Sequence, residues 1–205
     1  MPDFAVLLVF IPTFFLVSLT PGLCMTLAMT LGMSIGLRRT FWMMLGEVVG
    51  VALVAVAAVM GVATMMLNYP NVFTIFKWIG GAYLVYLGVR MCLSKGQLDS
   101  PGNTTIGSSN WSLVLQGFGT AIANPKGWAF MISLLPPFLN LSAAIAGQLL
   151  VLVAIIMCSE FICMTIYASG GKSLRVFLQR GDNVHWLNRL AGSLLIAVGA
   201  WLALE

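Results

Sequence analysis

The sequence predicts an all-α polytopic membrane protein of six transmembrane helices, arranged as two inverted three-helix repeats with helices 1 and 4 broken. Three observations carry this expectation. Of the 205 residues, 60% are hydrophobic and 8% charged, with a mean hydropathy of +1.00, whereas soluble domains carry roughly 25% charged residues. Six apolar stretches each meet the roughly 20-residue requirement for crossing a bilayer as a helix. Proline interrupts the first and the fourth at matching places, in Thr20-Pro21-Gly22 and Asn124-Pro125-Lys126.

The apolar segments run over about residues 4–35, 41–67, 72–93, 111–139, 142–170 and 184–204. As one continuous helix the first would extend about 48 Å against a hydrocarbon core of about 30 Å, so a break at Pro21 fits better than a rod. It is also far longer than a signal-peptide core of roughly 7 to 15 residues, and Met1-Pro2-Asp3-Phe4 brings no basic region, so it is expected to remain as a span. The second segment carries Gly46 and Gly50 on either side of Glu47, a small-x-x-x-small face that admits a neighbouring helix. Gly32-x-x-x-Gly36 in the first and Gly80-Gly81 in the third are read as packing sites in the same way. The fourth breaks at Pro125 and ends at Pro136-Pro137. The fifth holds Glu160 between Cys158 and Cys163, and the sixth opens with His185 and Trp186 at an expected membrane interface.

A polar stretch rich in Gly, Ser, Thr and Asn, at about residues 94–110, behaves as a linker between repeat 1 (about 1–93) and repeat 2 (about 111–205). The whole chain is one transmembrane domain, with no room for a separate soluble one. Each half holds an odd number of spans, so the halves enter the membrane in opposite directions. Residue identity between them is not strong, and the repeat rests on hydropathy and break positions.

Eight of the ten basic residues cluster at alternate loops: Arg38 and Arg39 in the first, Arg90 and Lys95 flanking the third, and Lys172, Arg175, Arg180 and Arg189 in or near the fifth. Lys77 lies near the opposite face and Lys126 within a span. The positive-inside rule then puts loops one, three and five in the cytoplasm and both chain ends outside. The net charge of +4 is accordingly a topology signal and not a nucleic-acid footprint. Trp42, Trp111 and Trp186 are expected at the cytoplasmic interface, with Trp78 and Trp201 nearer the other. Three Asn-x-Ser/Thr matches, at Asn103, Asn110 and Asn140, are of the kind that arises by chance.

Proline within a helix removes a backbone donor and clashes with the preceding turn, which leaves polar backbone groups at membrane depth. Paired interruptions of this sort point to a carrier's binding site at the interface of two repeats. Thr20 before Pro21 and Asn124 before Pro125 have the order of a helix start, a capping side chain and then proline at the first helical position. Half-helix N-termini there would offer about half a positive charge and unpaired N–H groups to a carboxylate. Thr20, Pro21, Gly22, Asn124, Pro125 and Lys126 are the substrate-binding candidates. The competing reading is a pair of ordinary proline kinks absorbed by packing.

Three ionisable residues lie within spans: Glu47, Lys126 and Glu160. Each costs at least roughly 2.5 to 3.5 kcal/mol near the bilayer centre, so a cavity or a partner is required. A carboxyl group out of water can exchange a proton near neutral pH, which makes Glu47 and Glu160 the proton-coupling candidates. Both are expected in the cytoplasmic half of their spans. Lys126 serves either an anion site or the neutralisation of a glutamate. Cys24, Cys92, Cys158 and Cys163 form no Cys-x-x-Cys pair and have no neighbouring histidine; buried structural thiols are expected, and no metal site, cofactor or catalytic residue.

On these residues the chain resembles the LysE-type (RhtB) family of amino-acid exporters, almost end to end. The matching stretches are TPG at 20–22 with the Gly36 and Gly46 spacing, FKWIGGAYLVYLGVR at 76–90, NPKGWAFMISLLPPF at 124–138 and WLNRLAGSLLIAVGAWL at 186–202. The family's first motif usually continues Pro-Gly-Pro-Asn, whereas this chain reads Pro21-Gly22-Leu23-Cys24, which removes a proline and a polar amide beside the site. The resemblance implies a small inner-membrane exporter of amino acids or their derivatives, exchanging them for protons. It supports Pro21, Gly22, Asn124, Pro125 and Lys126 as site elements. Acidic residues are frequent in the family near Glu47 and Glu160, with aspartate the usual one. A thiol-redox carrier, suggested by Cys24 close to Pro21, needs a second cysteine by the other break. A small-cation exporter of a related family and an assembly subunit without a substrate are the other readings. Expected partners are a small-molecule substrate, protons and the lipid bilayer, with homo-oligomerisation left open.

Overall fold

The computed structural model describes residues 4–68, 70–94, 109–140, 143–179 and 183–204, and the regular structure among them is helical throughout. Residues 95–108, most of the expected linker with Lys95 and Asn103, lie outside the described residues. So do Arg180 and residues 141–142 of the Asn140 match.

The first apolar segment forms α1 (Phe4–Leu19) and α2 (Leu23–Ile35), bent by 56° at the Thr20-Pro21-Gly22 break. Gly36 alone joins α2 to α3 (Leu37–Asn68), with φ 80° and ψ 160°, a region that is essentially glycine-only. Because one glycine turns the chain, Arg38 and Arg39 fall in the first turn of α3 and not in a loop, which corrects the expectation. Gly36 is thus a turn residue with no packing role, whereas a Cβ on its motif partner Gly32 would collide with the backbone of Ala168.

After α3 come α4 (Pro70–Leu93), then α5 (Asn110–Ala123) and α6 (Pro125–Leu134), separated by Asn124. Pro136–Phe138 form a single 3₁₀ turn, where the two prolines end the run. The fifth segment, α7 (Ile145–Gln179), extends past the expected boundary and is kinked at Gly171 (φ 43°, ψ −124°); α8 (Asn183–Leu204) completes the chain. Against six expected crossings, Leu37–Gly61 and Ile145–Gly171 are each long and apolar enough among the described residues, and the bent α1–α2 pair makes a third.

The outer surface is apolar. Leu53, Met60, Ile75, Ile79, Leu115 and Leu150 are exposed, as are Trp42, Trp78, Trp111, Trp186 and Trp201. Water would penalise so continuous an apolar shell, and lipid would not. This is a multi-pass membrane protein. Of the four cysteines, Cys24 and Cys163 are buried and Cys92 is half-buried, but Cys158 is exposed, contrary to expectation.

The core divides into two apolar plugs. One contains Phe10, Phe14, Val17, Val51, Val54, Phe130, Leu152 and Ile156; the other contains Met25, Leu31, Met43, Met44, Leu113, Cys163 and Tyr167. Chain direction through the plugs alternates. The run from α1 to α2 passes from the first plug to the second, as does α7, while α3 and the run from α5 to α6 pass the other way. Glu47 lies where α3 leaves the second plug, between Met44 and Val51, and Glu160 where α7 leaves the first, between Ile156 and Cys163. Close packing of α3 on α5 fixes this level: a Cβ on Gly46 would strike the Val114 carbonyl and one on Gly117 the Met43 carbonyl. The glycine face beside Glu47 therefore admits a helix, as expected.

Candidate functional site

Between the two plugs, at the two helix breaks, lies a cavity with largely apolar walls that several polar and charged side chains also line. At the first break α1 ends in polar contacts of its own. The Thr20 hydroxyl donates to the Val17 carbonyl, and the Tyr167 hydroxyl reaches across from α7 to donate to the Leu19 carbonyl at 2.8 Å. Thr20 thus finishes α1 instead of capping α2, and Pro21 precedes the helix instead of opening it. Gly22 takes the N-cap position of α2 in extended conformation (φ −141°, ψ −175°) with no side-chain cap. The expected capping order is corrected here: a threonine drawn back to its own turn leaves the α2 N-terminus open, and its first turn, Leu23 to Met25, borders the cavity.

At the second break the expectation is met. Pro125 occupies the first position of α6, and the Asn124 carboxamide oxygen accepts from the Lys126 N–H at 3.1 Å. The Trp128 indole donates to the Ile122 carbonyl at 2.8 Å, filling an acceptor at the end of α5 that the break would otherwise leave unmet. Asn124 Nδ2 also donates to Cys24 Sγ at 3.7 Å, which ties the two breaks together.

Charge concentrates in the same place. Glu160 Oε1 accepts from the Ser18 hydroxyl at 2.8 Å, and Lys126 lies close enough to act on Glu160 electrostatically. The Lys126 ammonium sits 5.6 Å from the centroid of the Phe130 ring, within reach of a cation–π contact. It also faces Gly22, where a Cβ would lie 3.6 Å from Nζ. Glu47 is 1% exposed, and neither carboxylate oxygen has a hydrogen-bond partner among the described residues. The Cys24 thiol adjoins it.

The cavity has a volume of about 60 Å³, enough for a few waters and well below the roughly 300 to 1,000 Å³ of small-molecule pockets. Thr20, Gly22, Glu47, Asn124, Lys126 and Glu160, separated by up to about two thirds of the chain, all line it. Pro21 and Pro125 are not among the lining residues. Their part is to interrupt the helices. Glu160 and Glu47 stand at the level of the breaks and not displaced from them.

Residues 15–205, which include both breaks and both glutamates, match the family model for the LysE type translocator. The chain belongs to this family. Among its relatives, an uncharacterized membrane protein of Vibrio cholerae is 27% identical, the match covering 98% of each chain. A homoserine/homoserine lactone efflux protein of Salmonella typhi is 29% identical over 92% of this chain and 91% of that one. A leucine efflux protein of an Enterobacter species is 24% identical over 92% and 90%. No solved structure matches.

In this LysE type translocator several site-forming residues escaped sequence reasoning. Trp128 and Tyr167 each satisfy a backbone carbonyl at a break, and Ser18 the Glu160 carboxylate; Trp128 lies inside the 124–138 stretch and Ser18 two residues before Thr20-Pro21-Gly22, yet neither motif marks the bond its side chain makes. The available signal was chemical: a buried tyrosine or tryptophan carries one polar atom that needs a partner. Cys24 was singled out for redox chemistry, but its neighbours are Asn124 and Glu47, and no other cysteine lines the cavity.

Proposed function

We propose that this LysE type translocator exports amino acids or their derivatives across the inner membrane in exchange for protons. Its two halves act as inverted three-helix repeats, with loop one, loop three (the linker) and loop five on the cytoplasmic side and both chain ends outside. The opposed course of matching helices through the two plugs supports the repeat, and the named efflux activities of the relatives support the substrate class.

One observation carries the reading: two half-helix N-termini, a lysine and two carboxylates converge on one cavity in an otherwise apolar core. An amino acid's carboxylate is met by the first turns of α2 and α6 and by Lys126. Glu47 and Glu160 supply the proton exchange. Since the cavity of about 60 Å³ is too small for an amino acid, binding requires the halves to part, and rocking then presents the site to alternate sides. Pro21 and Pro125 keep the half-helices separate through that movement.

Counterflow in proteoliposomes tests this, using a panel of amino acids, divalent cations and thiols with and without a pH gradient. Accumulation of an amino acid driven by an opposing proton gradient is the expected result. Exchange of divalent cations or thiols alone would replace this reading by one of its rivals.

A further inference from the structure

Charge in the cavity does not balance evenly, and the imbalance falls on one side chain. Glu160 has partners for its charge in the Ser18 hydroxyl, at 2.8 Å, and in the Lys126 ammonium. Glu47 has none among the described residues: it is 1% exposed, both oxygens lack a hydrogen bond, and its neighbour Cys24 is a weak donor. The titratable groups that face it are Cys24 from α2, Glu160 from α7 and Lys126 from α6. The closely packed α5 contains no titratable residue. A carboxylate in such a place requires either a proton or a cation that brings its own donors.

We propose that Glu47 is a single acceptor for which a proton and the primary ammonium group of the substrate compete, each excluding the other. This rests on the exporter reading and narrows it, because Glu160 becomes a fixed partner of Lys126 and Glu47 alone exchanges. The substrate must carry a primary ammonium group, which Glu47 accepts while the α2 and α6 N-termini meet the opposite end. The exchange balances as written: protonated Glu47 plus a substrate ammonium gives the Glu47 carboxylate paired with that ammonium and one proton released to water. Export of one zwitterion then returns one proton.

The test is carbodiimide labelling of the full-length protein in detergent, mapped by mass spectrometry, since dicyclohexylcarbodiimide attacks a protonated carboxyl in an apolar site. Protectants are L-leucine, L-leucine methyl ester (ammonium without carboxylate) and N-acetyl-L-leucine (carboxylate without ammonium). Glu47 is expected to react, and the amino acid and the ester to slow its labelling at least tenfold, while the N-acetyl compound does nothing. In weakly buffered solution, binding of L-leucine should release about one proton, and its apparent affinity should rise about tenfold per pH unit while Glu47 remains protonated in the empty site. Glu47→Gln abolishes the release and the pH dependence, and Glu47→Asp restores both. Protection by the ester without protection by L-leucine would uphold the ammonium site and overturn the amino-acid reading. Amino-acid counterflow whose proton release survives Glu47→Gln would do the reverse. An unlabelled Glu47, or labelling and protection at Glu160 instead, overturns the proposal outright, and neither result depends on a variant that folds.

Discussion

Asn124 shows how one side chain serves structure and site together. Its carboxamide oxygen caps α6 while its nitrogen reaches Cys24 on α2. Loss of an N-cap costs about 0.5 to 2 kcal/mol, so Asn124→Ala should lower the thermal unfolding midpoint in detergent, and Asn124→Ser, which keeps a capping oxygen, should recover much of it. Gly117 makes a second case. A side chain there meets the Met43 carbonyl and the Glu47 backbone, and overpacking of this kind costs about 1 to 3 kcal/mol. Gly117→Ala is expected to destabilise the protein by that much, measured by thermal unfolding, and to reduce transport because α3 and Glu47 are displaced. At this scale the sequence revealed which residues were polar in an apolar setting, namely Glu47, Lys126, Glu160, Thr20 and Asn124. It did not reveal their partners. Ser18 pairs with Glu160 across 142 positions, and no local pattern encodes a contact of that range.

Broken helices are the characteristic element of this chain, and each break is held by an aromatic side chain. Tyr167 satisfies the end of α1 and Trp128 the end of α5. A buried acceptor left without a donor costs about 1 to 3 kcal/mol. Tyr167→Phe and Trp128→Phe should therefore each lower unfolding stability by that amount with little change in helix content by circular dichroism. The turn between α2 and α3 is also a single-residue device. Gly36→Ala forces a side chain into a backbone region that costs about 1 to 3 kcal/mol, and the same thermal assay should register it, although nothing packs against Gly36. Both breaks were legible because proline acts on its own backbone. The single-glycine turn was not, since a positive φ leaves no mark distinguishing Gly36 from a packing glycine, and Arg38 and Arg39 were misplaced into a loop as a result. Thr20 was misread for a related reason: a hydroxyl beside a proline can bond forward to the next helix or back to its own, and only the 56° bend with an extended Gly22 makes the backward bond the available one.

Across the whole molecule, a polar layer divides two apolar plugs, and the layer holds the functional candidates. Composition was enough to foresee a helical membrane protein, because an interior and an exterior that are both apolar admit little else. That Glu47 and Glu160 would share one cavity with both breaks could not be read from span boundaries, since the level of Glu47 is set by the packing of α3 on α5 through Gly46 and Gly117, and that of Glu160 by the packing of α7 on α2, where Gly32 meets Ala168. On the function proposed above, the substrate sits in the space between the α2 and α6 N-termini. Cys24 is buried but borders that space, so its alkylation by N-ethylmaleimide in membranes, which requires the halves to part as substrate entry does, reports on occupancy when followed by peptide mass mapping. A saturating amino acid that the protein transports in counterflow should slow Cys24 modification at least tenfold. An unchanged rate of Cys24 modification under that saturating, transported amino acid would place the substrate elsewhere.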